Sequence, residues 1–328
     1  MIGSIRIAGR RSAESRSRSR SADRIGDGVM YGLCLLAALL AVAAIVAIAY
    51  QMIHGASASI SHFGLGFLGH ATWQPNPPFE SFGAGTFLYG TAVTSAIAML
   101  LSVPLGISIA VYLALVAPRR VRGVIGPLVE MLAAIPSVIL GFWGIVVLAP
   151  FLQAHLEPFL HSVLGFLPLF GATPTTGTGL FIAGLILTIM VVPIIASISR
   201  DIFLSVPGEL QEGATALGAT RWEVLRGVVL PMSASGVAAA SFLGLGRALG
   251  EAIAVTQVIG AGSAIHGSLF QTGDTLASRI ADQFPGATSK LDIASLFYLG
   301  VILLAIELVA NISAQLISRG FDRRIAAR

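Results

Sequence analysis

The stretch LGLGRALGEAIAV places Arg247 and Glu251 inside one of the most apolar runs of the chain. Their spacing of four predicts one shared helix face. Gly244, Gly246 and Gly250 remove side-chain bulk around them, and small residues at such spacings allow close helix approach. Charge in apolar surroundings of this kind is costly and marks a functional site by default. A guanidinium presents a planar fork of donors that matches a tetrahedral oxyanion at two points. Glu251 is then expected to hold the empty site near neutral, so that an anion is released rather than trapped, and to accept a proton from an oxyanion that still carries one. Two further acids are secondary candidates: Glu130 near the inner end of its apolar run, and Glu307 in the middle of the last one.

These side chains need elements that can hold them, and composition names the medium. Of 328 residues, 55% are hydrophobic and 11% charged, against roughly a quarter charged in soluble domains. A bilayer core takes about 20 apolar residues per helix, and runs of that length occur at roughly 28–53, 86–117, 124–150, 178–199, 232–261 and 291–318. The fold class is therefore all-α, a polytopic membrane protein of six transmembrane helices. Pro104, Pro136 and Pro193, each within a different run, mark expected kinks.

Cation placement fixes the orientation, because inner flanks retain Lys and Arg. Seventeen of the twenty cations fall in the N-terminal tail, the second-to-third connection, the fourth-to-fifth connection and the C-terminal tail. Both ends are thereby expected on the cytoplasmic side. The chain divides into a basic, disordered tail over 1–27, a first helix and outer loop over 28–85, a five-helix domain over 86–318 whose inner loop spans 200–231, and a short tail over 319–328. The Arg/Ser alternation from Arg16 to Arg20 reads as an orientation signal rather than a nucleic-acid arm. The first run is too long for a cleaved signal peptide.

Several chemistries are excluded. The six histidines are scattered and the one cysteine, Cys34, lies in an apolar run, so no metal set and no clustered catalytic set is present. A phosphate-cradling P-loop needs Lys followed by Ser or Thr, yet the sole lysine, Lys290, precedes Leu291. The chain therefore binds no cofactor and hydrolyses no ATP. Outer loops at 54–85 and 151–177 carry no Lys or Arg and are too short for a solute-capturing domain, which must be another polypeptide.

The inner loop reads RDIFLSVPGELQEGATALGATRWEVLRGVVLP, with apolar residues at helical spacing, a start signal at Val206-Pro207-Gly208 and a break at Gly218. It predicts two short helices with one greasy face. The segment resembles the EAA loop of ABC importer permeases: Glu212-Gly213-Ala214, then Gly218, then Val228-Val229-Leu230-Pro231. Gly213 and Val228 stand where that pattern usually has Ala and Ile. The resemblance implies a type I importer permease fold in which this loop is the coupling helix that docks on a cytoplasmic ATPase.

A closer likeness rests on GLGRALGE, on Glu130 to Ser137 with Pro136, on Gly141-Phe142-Trp143-Gly144, on Tyr89-Gly90-Thr91 with Thr94-Ser95, and on FGLGFL at 63–68. These resemble the phosphate-specific transport permeases, and the C-type subunit more than the A-type. Ala252, Ile253 and Ala261 depart from the family, which often has Asn at the last position. The likeness implies import of phosphate by ATP-driven alternating access, with Arg247, Glu251, Gly246, Gly250, Thr91, Thr94 and Ser95 along the pathway. It implies an A-type permease partner, two ATPase copies holding ATP-Mg, a periplasmic phosphate-binding protein and a bacterial inner-membrane location. Another oxyanion, sulfate or molybdate, is the alternative substrate. A secondary anion transporter is the rival class, but it would not need the EAA-type loop.

Overall fold

The computed structural model describes the backbone of residues 3–76, 79–171 and 177–326, and side chains within 27–76, 79–171 and 177–320. No proline precedes Pro75, so nothing interrupts the first helix, α1, which runs Gly3–Phe63. It takes in the basic stretch expected to be an irregular tail. The chain divides at His54 into two compact units. In the first, most apolar side chains from Val29 to Ile53 are exposed, with Ala49 and Met52 partly buried. The second, from Gly55 onward, carries the remaining elements.

Six helices among the described residues are long and apolar enough to cross a membrane. Besides α1 they are α2 at Gly85–Val111, extended by a π turn over Tyr112–Val116, α4 at Ser137–Leu164, α5 at Leu180–Ser205, α7 at Arg221–Gly250, and α10 at Lys290–Ala326. Shorter helices fill the connections: α3 at Arg119–Ala133, α6 at Gly208–Ala216, α8 at Ile253–Ile259 and α9 at Leu276–Gln283. A two-stranded antiparallel ribbon, β1 at Trp73–Gln74 and β2 at Ser81–Phe82, pairs Trp73 with Phe82.

Helix α5 is the axis of the packing. Ile182, Ile186, Leu187, Val191 and Ile195 are buried there against α2, α7 and α8. Lipid tails are as apolar as these residues, so close packing rather than water exclusion holds such helices together. Gly244 permits the approach of α7, since a Cβ there would stand 2.7 Å from Val191.

The expected spans hold in number and differ in bounds: the first, placed at 28–53 with a loop from 54, continues as helix to Phe63, and the third and fifth differ more. The third was placed at 124–150, but α3 ends at Ala133 and α4 begins at Ser137, with Pro136 as its N-cap. Pro136 thus separates two helices rather than kinking one, because proline lacks an N–H and disfavours helical backbone at the residue before it. Most of the stretch 151–177, expected as loop, continues α4 to Leu164. The π turns at Gly144–Leu148 and Leu152–Leu156 flank Pro150, the type of irregularity that accommodates a missing N–H. The fifth span was placed at 232–261, yet α7 stops at Gly250, and Glu251 leaves helical conformation with ψ 111°.

Candidate functional site

Arg247 occupies the last turn of α7 and Glu251 follows its end. They form an ion pair of 3.2 Å, with the Arg247 side chain 47% exposed and that of Glu251 6%. Glu251 therefore does not share a regular helix face with Arg247; the chain turns at Glu251 and the carboxylate swings back to the guanidinium. Its other oxygen accepts the Ala254 N–H at 3.3 Å, so one side chain ties the end of α7 to the first turn of α8. Broken helices of this kind bound binding sites in transport proteins, where freed backbone faces a cavity rather than lipid.

The site glycines play unequal parts. A Cβ on Gly246 would meet nothing within 4 Å, so the face beside Arg247 is open. A Cβ on Gly250 would stand 3.0 Å from Oε1 of Glu307. The α10 acid expected as a secondary candidate is thereby brought beside the same turn as Arg247, and it forms no ion pair among the described residues.

The other expected positions lie elsewhere. The Thr91, Thr94 and Ser95 hydroxyls are buried in α2 and committed within it. Thr94 and Ser95 donate to the carbonyls of Gly90 and Thr91, and Thr91 donates to Phe87 while accepting the Leu276 N–H at 2.9 Å. None of the three bonds to Arg247 or Glu251, and Thr91 anchors the start of α9. Glu130 lies on α3 and pairs with Arg200 at 2.9 Å. Arg200, expected in the inner loop, is within α5 and also meets Asp201 at 2.8 Å.

The inner loop folds as its punctuation dictates. Pro207 caps α6. The helix closes on Gly218, whose φ of +91° suits glycine, and Ala219 donates back to the Ala214 carbonyl at 3.1 Å. Thr220 and Glu223 form a reciprocal capping box at the start of α7. The second of the two expected short helices is thus the leading end of the fifth span, continuous through a π turn at Leu225–Val229 that precedes Pro231. Phe203, Val224, Leu225 and Val229 bury this corner against Ala110 and Ala114, while Leu217 is 91% and Trp222 65% exposed. Glu212 and Gly213 are exposed on α6. Between α6, α7 and the end of α2 lies a cavity of about 490 Å3, lined by Leu115, Gln211, Glu212, Thr215 and Trp222.

Sequence reasoning missed a second ionic site. Arg279 on α9 is buried between the rings of Trp73 and Phe87, 5.2 Å from each, and pairs with Asp274 at 3.5 Å. Asp274 also accepts from Ser278 and from the Thr275 N–H. Burial pushes the Asp274 carboxyl up to about 6, against the opposing effects of Ser278 and Arg279. Arg279 being one of two cations in the outer connections was the available signal; its aromatic partners come from a two-residue strand and from the first turn of α2, far away in sequence.

With this geometry in place, comparison with known proteins decides the family. Residues 102–326 match the family described as the binding-protein-dependent transport system inner membrane component. The chain belongs to that family. It also belongs with the phosphate transport system permease proteins PstC. The protein of that name from Mesorhizobium japonicum is 42% identical over 305 residues, covering 92% of each chain. The one from Pasteurella multocida is 44% identical, covering 84% of this chain and 86% of its own. Among solved structures, a bacterial alginate ABC transporter in complex with its pentasaccharide-bound periplasmic protein matches 87% of this chain and 95% of its own, with TM-score 0.55 and 19% identity. An inward-facing methionine ABC transporter matches 72% of this chain and 96% of its own, with TM-score 0.53 and 20% identity. At those identities the likeness is one of fold, the type I importer permease expected from the EAA-type loop. As a permease of this family the chain is a multi-pass transport subunit.

Proposed function

We propose that this chain carries inorganic phosphate across a bacterial inner membrane as one of two permease subunits of an ABC importer, with both of its ends in the cytoplasm. The observation that carries the reading is Arg247, half exposed where the fifth span breaks and balanced by Glu251 across 3.2 Å. A tetrahedral oxyanion arriving beside Gly246 would take the guanidinium fork from Glu251, and Glu251 would reclaim it as the anion leaves. Binding stays weak because each anion must displace an internal carboxylate. The names of the curated relatives support phosphate as the anion.

Energy would come from two ATPase copies holding ATP-Mg and docking on the end of α6 and the start of α7, where Leu217 and Trp222 are exposed. An A-type permease would complete the pathway, and a periplasmic binding protein would deliver phosphate from outside. Closure of the ATPases would draw the coupling loops together and switch the helices outward; hydrolysis would reset them. Glu251 has a second commitment at Ala254, which makes it a hinge of the break as well as a counter-ion, so its role as a proton acceptor competes with a structural one.

The test is phosphate uptake into proteoliposomes containing the complete transporter and its binding protein. Arg247→Gln is expected to reduce uptake by about tenfold or more, from loss of a charge-assisted contact, while ATPase assembly is retained. Arg247→Lys, which keeps charge without the fork, should recover only part of it. Uptake by Arg247→Gln at the wild-type rate would remove the site from the pathway. Vanadate-insensitive uptake driven by an ion gradient would instead favour a secondary transporter.

A further inference from the structure

Helix α10 carries polar residues at a strict spacing of four: Glu307, Asn311, Gln315 and Arg319. Four residues advance an α-helix by slightly more than one turn, so this is a continuous polar stripe on an otherwise apolar span, where polar side chains mark pathways. Its upper end is Glu307, beside Gly250. Its lower end opens into a cavity of about 360 Å3 between α7 and α10, lined by Phe242 and Leu243 on one wall and by Asn311, Gln315, Ser318 and Arg319 on the other.

The chemistry of that wall is selective. Amide, hydroxyl and guanidinium groups all donate hydrogen bonds, and Arg319 adds a permanent positive charge. Among the described residues Arg319 makes no ion pair and no carboxylate lines the cavity. The two helices are antiparallel, so the stripe leads from the Arg247 level toward the end of α10, over about 18 Å at the usual helical rise.

We propose that this cavity is a second oxyanion site, in which Asn311, Gln315, Ser318 and Arg319 hold a phosphate group at the inner end of the α7–α10 groove. The proposal rests on the phosphate reading of Arg247 for its place in a pathway. The phosphate group can come from two sources, the transported anion leaving the protein or the headgroup of an anionic lipid. The donor set fits either.

The complete transporter, free of ATP and binding protein, is placed in discs of phosphatidylcholine and titrated with radiolabelled inorganic phosphate. Wild type is expected to bind, and Arg319→Gln and Asn311→Leu to weaken binding by about tenfold or more through loss of charge-assisted and amide contacts; Arg319→Lys should restore part of it. Discs containing phosphatidylglycerol give the second arm: retention of that lipid by wild type and its loss in Arg319→Gln assigns the site to a headgroup. ATPase activity of each variant verifies assembly. If Arg319→Gln and Asn311→Leu alter neither phosphate binding nor lipid retention, the inner site does not exist. If Arg247→Gln leaves uptake intact while the Arg319 variants fail to bind phosphate, the reading of Arg247 falls and the inner site stands.

Discussion

At the scale of single residues, Ala261 and Asp274 carry consequences that can be measured. Ala261 has φ +49°, in the left-handed region that asparagine tolerates better than alanine. The Asn that the resemblance leads one to expect at this position would suit that backbone. Ala261→Asn is expected to raise stability by about 1 kcal/mol, read as a higher melting midpoint of the purified permease; an unchanged or lower midpoint would mean that the loop bears no strain there. Asp274 is held near 6 instead of the ordinary 3.8 by burial, with Ser278 and Arg279 pulling the other way. A carboxyl that binds its proton more tightly when folded makes the fold more stable as pH falls through that window and less stable as pH rises through it. Wild type should therefore lose up to about 3 kcal/mol relative to Asp274→Asn between pH 4 and pH 6. Parallel melting curves for the two proteins across that range would refute the shift.

At the scale of elements, the inner loop and the broken fifth span show different degrees of legibility. The loop was largely readable because its signals are local: Pro207 and Gly218 each act within four residues, while the Thr220–Glu223 capping box, equally local, was not read. The break at Glu251 was not, since Gly250-Glu251-Ala252 continues an apolar run without proline, and the turn is held by Glu251 reaching Arg247 and Ala254. Hydropathy likewise ran straight through Pro136, merging α3 with the start of α4. The exposed face of α6 and α7 makes its own prediction. Leu217→Ala and Trp222→Ala remove side chains that touch little of this chain, so thermal stability should change by less than about 0.5 kcal/mol, while ATPase stimulation by the loaded binding protein is lost. Full stimulation in both variants would show that the ATPase docks elsewhere.

At the scale of the whole molecule, orientation remains the property most directly testable. Seventeen inner cations predict that both ends share the cytoplasm. With Cys34 replaced by serine, a single cysteine at Ser19 or at Ser318 should resist a membrane-impermeant thiol reagent in intact cells and react in inverted vesicles; labelling of Ser19→Cys in intact cells would reverse the topology. The number of spans and the helical turns of the inner loop were legible in the sequence alone, because bilayer thickness and short-range turn chemistry act on neighbouring residues. The chemistry of Arg247 and Glu251 was also visible there. What only the tertiary structure decided is their company. Glu307 arrives beside Gly250 from the last helix, Arg279 is enclosed by Trp73 and Phe87, and the Thr91 hydroxyl is taken up by Leu276. These pairings join residues from about 57 to 206 positions apart, and no local periodicity encodes which faces of separate helices meet; that is settled by how small and large side chains interlock when the helices pack.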